Sequence, residues 1–509
     1  MSSSLYLFTL IVVVFQFYLC WSCSTIAAGR RATIDGSVIV SHSNDGDGDV
    51  AGNIHVIPGA SYELGTTRAV SGGTIPQALI TYQYFTEGYA ISNIHQVVLG
   101  ESTCSAIFEG NRTSAILNIV DLGQLALERA TTAKEAIQVM GDLATTYGYY
   151  DAGESLFVGD TLELWVFHIL PDGTGKKAIW AAQKIPEDHV STVMNAFIIR
   201  DIDLQDPFNF MWSDNIQEFT SPSSMIDFTA TFSGPNEVKC KYSSGRRMWA
   251  VYDTVSPSLN VSPFYENLVE SKPYPVSAQP DKLVDVSQVT ALMRSYYRGT
   301  PFDMSILPEL SGGAFLTPSR WVTDATVNAE TVCWERPIAT FRSIVSFVGQ
   351  MRDTLEAGVI WFAPHSTLTS QYTPFVTTMK VLPVGYTTNS NSVLGRNESA
   401  FWAFKYLHNV MQIRSFDILI DIEGLQKETE LQNVFLMKKI DMLMSPDADN
   451  TAVIQEELNV HAQALVSTFW TFSDTMIMKY SDGYCNFDCS PDQPRHLGYR
   501  QEWLNKIWS

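Results

Sequence analysis

Basic residues are scarce in this 509-residue sequence, with 33 lysines and arginines against 54 aspartates and glutamates and a net charge of −21. That imbalance argues against nucleic acid or an anionic membrane as partner, since both attract basic surfaces. It suits an acidic compartment, where partial protonation relieves self-repulsion. Mean hydropathy is +0.00, which excludes a polytopic membrane protein. Internal repeats, a glycine-rich phosphate loop and a metal-binding HExxH helix are all missing. What remains is a globular chain, 45% hydrophobic, long enough to bury one large core or two smaller ones.

An apolar run from Leu5 to Leu19 leads into Cys20-Trp21-Ser22, which places small residues third and first before Cys23. Residues 1–22 therefore read as a secretory signal peptide, with Cys23 opening a mature domain over 23–509. Met1-Ser2-Ser3-Ser4 carries no basic side chain, so an uncleaved anchor is the competing reading. Cleavage before Cys23 sets a thiol of ordinary pKa about 8.5 beside an α-amine of about 7.7 to 8.0. Nucleophile and general base then share one residue.

Downstream, Ser24 to Gly29 and Ser37 to Ser43 read as strands joined through an Asp35-Gly36 turn. A hairpin centred near Thr33 pairs Cys23 with Ser43 and brings His42 and Asp45 near the thiol. A buried structural cysteine is the plain alternative. Asp45-Gly46-Asp47-Gly48-Asp49 lacks the glycine and glutamate that a calcium loop needs at Val50 and Val56, so it reads as a solvated turn and no metal is expected.

Cys23-Ser24-Thr25-Ile26, Gly29-Arg30, Ala32, Asp35-Gly36-Ser37 and then His42-Ser43-Asn44-Asp45 resemble the start of the cysteine dipeptidase family, the N-terminal nucleophile hydrolases that include lactobacillar dipeptidase A and the secernins. The likeness recurs at Gly153-Glu154-Ser155, Trp180-Ala181-Ala182, Asn195-Ala196-Phe197, Glu335-Arg336-Pro337 and Lys479-Tyr480-Ser481-Asp482-Gly483-Tyr484. It implies an α+β fold, a four-layer α/β/β/α sandwich, and hydrolysis of dipeptides or short peptides through a thioester on Cys23. No cofactor is implied. Asp45 is expected to orient the amine or meet the substrate's ammonium. Asn195 matches by position an asparagine that donates to the oxyanion in choloylglycine-type amidases. Arg320 and Arg336 are candidates for a late arginine that polarises the site, with a structural ion pair as the alternative. Asn93 is carried as a substrate-side candidate, with a structural role competing. Many family members have arginine where His42 stands, so positive charge at this position becomes pH-dependent. A non-peptide amidase and a catalytically silent secreted binding protein are the rival functions, and oligomeric state is not legible.

The remaining features concern organisation. Residues 221–280, rich in Ser, Pro, Asn and Tyr, read as a surface insert. Helices are expected at Ala133 to Tyr147 and, in a helical C-terminal part over 400–480, at Ala400 to Ile413, Glu423 to Met444 and Thr451 to Lys479. Strands are expected at Glu154 to Val158, Glu163 to His168, Lys177 to Gln183 and Val193 to Phe197. Cys485 and Cys489 are a disulfide candidate, with a zinc half-site competing; the pairing of Cys104, Cys240 and Cys333 stays open. Sequons at Asn111, Asn260 and Asn397 fit a secretory route and a glycoprotein, secreted or in a lysosome-like compartment.

Overall fold

The computed structural model describes residues 23–46, 52–220, 225–234, 241–264, 274–306, 313–319, 326–327, 330–331, 336–353, 355, 357–388, 399–444, 449–491 and 495–508. The expected leader, Arg320, Cys240, Cys333, Asn397 and the turn residues Asp47 to Asp49 lie outside the described residues.

Two antiparallel sheets form the centre. A six-stranded sheet runs Val190–Val193, Thr25–Ala28, Val38–Asp45, Ser343–Met351, Val359–Pro364 and Thr373–Val376 from edge to edge. An eight-stranded sheet runs Phe210–Trp212, Ala178–Ile185, Leu164–Pro171, Gly153–Gly159, Val98–Cys104, Ala90–Asn93, Tyr84–Thr86 and His55–Ile57. Val38–Asp45 packs across both Val98–Cys104 and Gly153–Gly159. The approach is close: a Cβ on Gly100 would sit 2.6 Å from the Ser41 carbonyl oxygen, so the crossing needs glycine there.

Alternation along the second sheet explains why both of its faces are buried. Val98, Phe157, Val166 and Ile179 join the core shared with the first sheet. Leu99, Leu156, Val158, Trp165 and Phe167 join a second core under the helices Ile119–Arg129 and Ala133–Tyr147. The latter has the expected bounds: Thr132 caps it by accepting from the Glu135 amide, and Glu135 accepts back from Thr131. The helices Val286–Met293, Ala400–Met411, Ser415–Leu443 and Thr451–Lys479 pack against the first sheet. Ser415–Leu443 starts earlier than its periodicity suggests, because buried Ile418, Leu419 and Ile422 extend the inward stripe. Among the described residues no helix is long and apolar enough to cross a membrane.

Three expectations need correction. The first hairpin pairs Ala27 with Val40 and Ser24 with Ser43, one residue away from a Cys23–Ser43 pairing. The long connection from Gly29 to Ser37, with Gly36 at φ 76°, is not a two-residue turn that would fix register. Residues 241–255, expected within a surface insert, form a helix whose Arg247, Met248, Val251 and Tyr252 are buried. The strand expected at Val193 to Phe197 ends at Val193, so Asn195 follows it in a turn. Cys485 and Cys489 are joined by a disulfide, which removes the zinc half-site.

Candidate active site

Cys23 is a buried free cysteine immediately before the strand Thr25–Ala28. Antiparallel bonding between Ser24 and Ser43 brings it to the C-terminal end of Val38–Asp45. Its sulfur, a ring nitrogen of His42 and a carboxylate oxygen of Glu101 all lie within 4.8 Å of one another. Burial pushes the thiol well up, and the charges of Glu101, Asp45 and Glu154 add to it, against a lowering backbone contact from Asp45. At rest, therefore, the sulfur is a thiol.

His42 Nδ1 lies 2.8 Å from the Glu101 carbonyl oxygen. A carbonyl can only accept, so Nδ1 carries the hydrogen. Nε2 then faces Glu87 Oε1 at 3.6 Å, too long for a hydrogen bond but within ion-pair reach. Burial pulls the imidazole down, yet Glu87 and Glu101 outweigh it and the net shift is upward. Asn44 Nδ2 donates to the same Glu87 carboxylate at 3.0 Å.

Asp45 is buried where the first sheet bulges between Asn44 and Asp45. Arg336 donates to its Oδ2, and Ser343 Oγ to its Oδ1 at 2.6 Å. Burial raises the Asp45 carboxyl, while Arg336 and Ser343 pull it back. Asn195 sits in left-handed backbone at φ 63°. Its amide donates to Ser102 Oγ at 2.9 Å, and Ser102 Oγ in turn donates to the Cys23 carbonyl. Nδ2 of Asn195 donates to the Thr103 carbonyl at 2.7 Å. Behind this turn, His168 Nε2 accepts from the amides of Ile198 and Ile199, and its Nδ1 therefore donates to Ser155 Oγ.

Fully buried Arg247 ties these parts together. Nη1 donates to the Cys23 carbonyl at 3.0 Å and to Ser24 Oγ at 2.9 Å. Nη2 reaches the Met194 carbonyl and Asn195 Oδ1, and Nε the Ser243 carbonyl. Five donors thus meet five neutral acceptors. Burial first, then Arg336, bring its pKa down to about 9.

Residues 22–428 match the model of peptidase family C69. The chain belongs to this family. It is similar to a probable dipeptidase of Latilactobacillus sakei, 25% identical over 305 residues, covering 55% of this chain and 62% of that protein. It is also similar to a probable dipeptidase of Salmonella dublin, 24% identical over 310 residues, covering 55% and 68% of the two chains. Dipeptidase A of Lactobacillus helveticus is 20% identical over 415 residues, covering 75% of this chain and 80% of its own. The match to the L. sakei protein thus spans less than two thirds of that protein's length. C69 membership covers both sheets and the helices up to residue 428.

Of the residues the sequence nominates in this C69 chain, Cys23, His42, Asp45 and Asn195 converge, and Arg336 joins them through Asp45. Asn93 is a structural pin. Its Nδ2 donates to the Leu127 and Ala130 carbonyls at the end of a helix, and its Oδ1 accepts from the His95 and Val97 amides. None of these partners belongs to the cluster. Sequence reasoning missed Arg247, Glu87, Glu101 and Glu154. The signal for the last two was a carboxylate inside a short apolar strand, an uncommon placement without a partner.

Proposed function

We propose that this chain is a cysteine-type dipeptidase, cleaving dipeptides or short peptides with Cys23 as nucleophile after removal of residues 1–22. The observation that carries the proposal is the Cys23 sulfur gathered with His42 and Glu101, its own carbonyl clamped by Arg247. Family membership and relatives named dipeptidase support the same reading. We take the two packed sheets with helices on either side as the four-layer α/β/β/α sandwich of the N-terminal nucleophile type.

In this mechanism the α-amine of Cys23 accepts the thiol proton as sulfur attacks the scissile carbonyl. A thiol raised by burial gains from a base carried on the same residue, because the proton travels only within the site. The developing oxyanion is met by Asn195 and backbone amides, once Asn195 Nδ2 turns from the Thr103 carbonyl. The amine then protonates the departing amino group, and water hydrolyses the thioester. No cofactor or metal takes part. Asn111 and Asn260 are exposed and carry acceptor sequons, which fits passage through the secretory pathway to the cell exterior or a lysosome-like compartment. No partner beyond small peptides is invoked.

The test is N-terminal sequencing of the mature protein together with a dipeptide panel. A chain beginning at Cys23, active as wild type and inactive but folded as Cys23→Ala, is the expected outcome. A mature chain beginning elsewhere, or full activity in Cys23→Ala, overturns the proposal.

A further inference from the structure

Two carboxyl groups beside Cys23 have no part in this mechanism. Glu101 and Glu154 lie on adjacent strands, and Thr103 is the residue opposite Glu154. The two glutamates are therefore diagonal neighbours, within side-chain reach. Their residues are only 4% and 2% exposed. Glu101 Oε1 accepts from Thr103 Oγ1 at 3.1 Å, and the two carboxyl groups lie within hydrogen-bond reach of each other, but Oε2 of each is buried and meets no nitrogen or hydroxyl donor. Among the described residues, no lysine or arginine lies within ion-pair distance of either.

The other charges here are answered. Glu87 faces His42, and Asp45 holds Arg336. Burial, then the charge of Glu101, push the Glu154 carboxyl well up, as follows for two acids crowded together in a buried space with no lysine or arginine between them. A carboxylate here is misplaced for a cysteine enzyme at rest, because Glu101 opposes thiolate formation at a sulfur within 4.8 Å. A buried charge of this kind is tolerated where a cation arrives to pair with it.

We infer that Glu101 and Glu154 form an anionic subsite that binds the free α-ammonium of the substrate's N-terminal residue. The inference rests on the dipeptidase reading and deepens it. An ammonium seated there also cancels the repulsion that Glu101 exerts on the sulfur. The substrate thus brings the charge that its own cleavage needs, and a chain with a blocked amino terminus does not.

Binding can be measured without turnover. Mature Cys23→Ala protein is titrated calorimetrically with L-alaninamide, which carries the ammonium, and with N-acetyl-L-alaninamide, which does not. Alaninamide should bind more tightly by on the order of tenfold or more, the range of one charge-assisted hydrogen bond. Glu101→Gln or Glu154→Gln in the same background should erase the difference. Equal binding of the two amides to the Cys23→Ala protein overturns the subsite, and needs no glutamate variant to fold. A difference that survives both glutamine substitutions also overturns it. Dipeptide hydrolysis by wild type without amide discrimination leaves the proposed function standing and removes the subsite. Discrimination without hydrolysis of any dipeptide does the reverse.

Discussion

Arg247 and Cys23 are joined by a guanidinium-to-carbonyl hydrogen bond of 3.0 Å, although 224 positions separate them in sequence. The same guanidinium holds Asn195 Oδ1 at 2.7 Å. One side chain thereby sets the distance between the proposed nucleophile and Asn195.

Arg247→Lys keeps a positive charge but cannot span five acceptors in a plane. We expect kcat/KM on a dipeptide to fall about 100-fold, in the range seen when one oxyanion donor is lost, and the melting temperature to drop as well. Wild-type kinetics in a folded Arg247→Lys protein would show that the arginine only fills space.

His42 gives a pH signature. Its folded pKa is raised, despite the burial that pulls it down, by Glu87 and Glu101. The charge, and the stability linked to it, are therefore complete below the ordinary value of about 6.5 and disappear as pH rises through the folded value. Activity that needs this charge declines on the alkaline side. Arginine at this position stays charged, so His42→Arg should carry kcat/KM to higher pH. Superimposable profiles for the two proteins count against any electrostatic role.

The convergence of Cys23, His42 and Glu101 predicts a sensitivity rather than a requirement. Zn²⁺ favours sulfur, imidazole and carboxylate donors, and binding it occupies the nucleophile. Added Zn²⁺ should inhibit, EDTA should restore activity, and EDTA alone should leave the untreated enzyme unchanged. Inactivation by EDTA alone, reversed by metal, would place a functional ion in this site.

Glu154 offers a stability test. Its carboxyl is raised by burial and by Glu101, so the folded protein holds a proton that the unfolded chain releases near pH 4.3. The stability linked to that proton is full below this value and falls with rising pH at up to about 1.4 kcal/mol per unit, until the folded pKa is passed. Glu154→Gln removes the slope. Urea midpoints between pH 5 and pH 9 should diverge, with the variant more stable at the alkaline end; parallel curves contradict the assignment.

Legibility in the sequence followed locality. Cys23, His42 and Asp45 could be brought together because one hairpin carries all three, and the helix Ala133–Tyr147 announced itself through its cap and periodicity. The hairpin register slipped by one because a long connection transmits no register. Arg247 was hidden within a polar, proline-containing stretch whose composition resembles a loop, and only the tertiary fold buries it. Glu87, Glu101 and Glu154 meet the thiol through strand pairing and the crossing of two sheets, which leave no spacing pattern in the chain. The C-terminal disulfide and the helices Ala400–Met411 and Thr451–Lys479, by contrast, depend on near neighbours and emerged close to expectation, while Ser415–Leu443 began earlier than its periodicity suggested.

Chain ends are ordinarily where a protein frays. The clamp on the Cys23 carbonyl, from Arg247 on one side and Ser102 on the other, reverses that habit for a chain that starts at Cys23. Such a terminus is moored from its downstream side before any residue precedes it, so losing the leader costs the first residue none of these anchors. In the proposed mechanism an end group carrying both nucleophile and base must hold still at the scale of a single bond, and the interior of the molecule would serve as its berth.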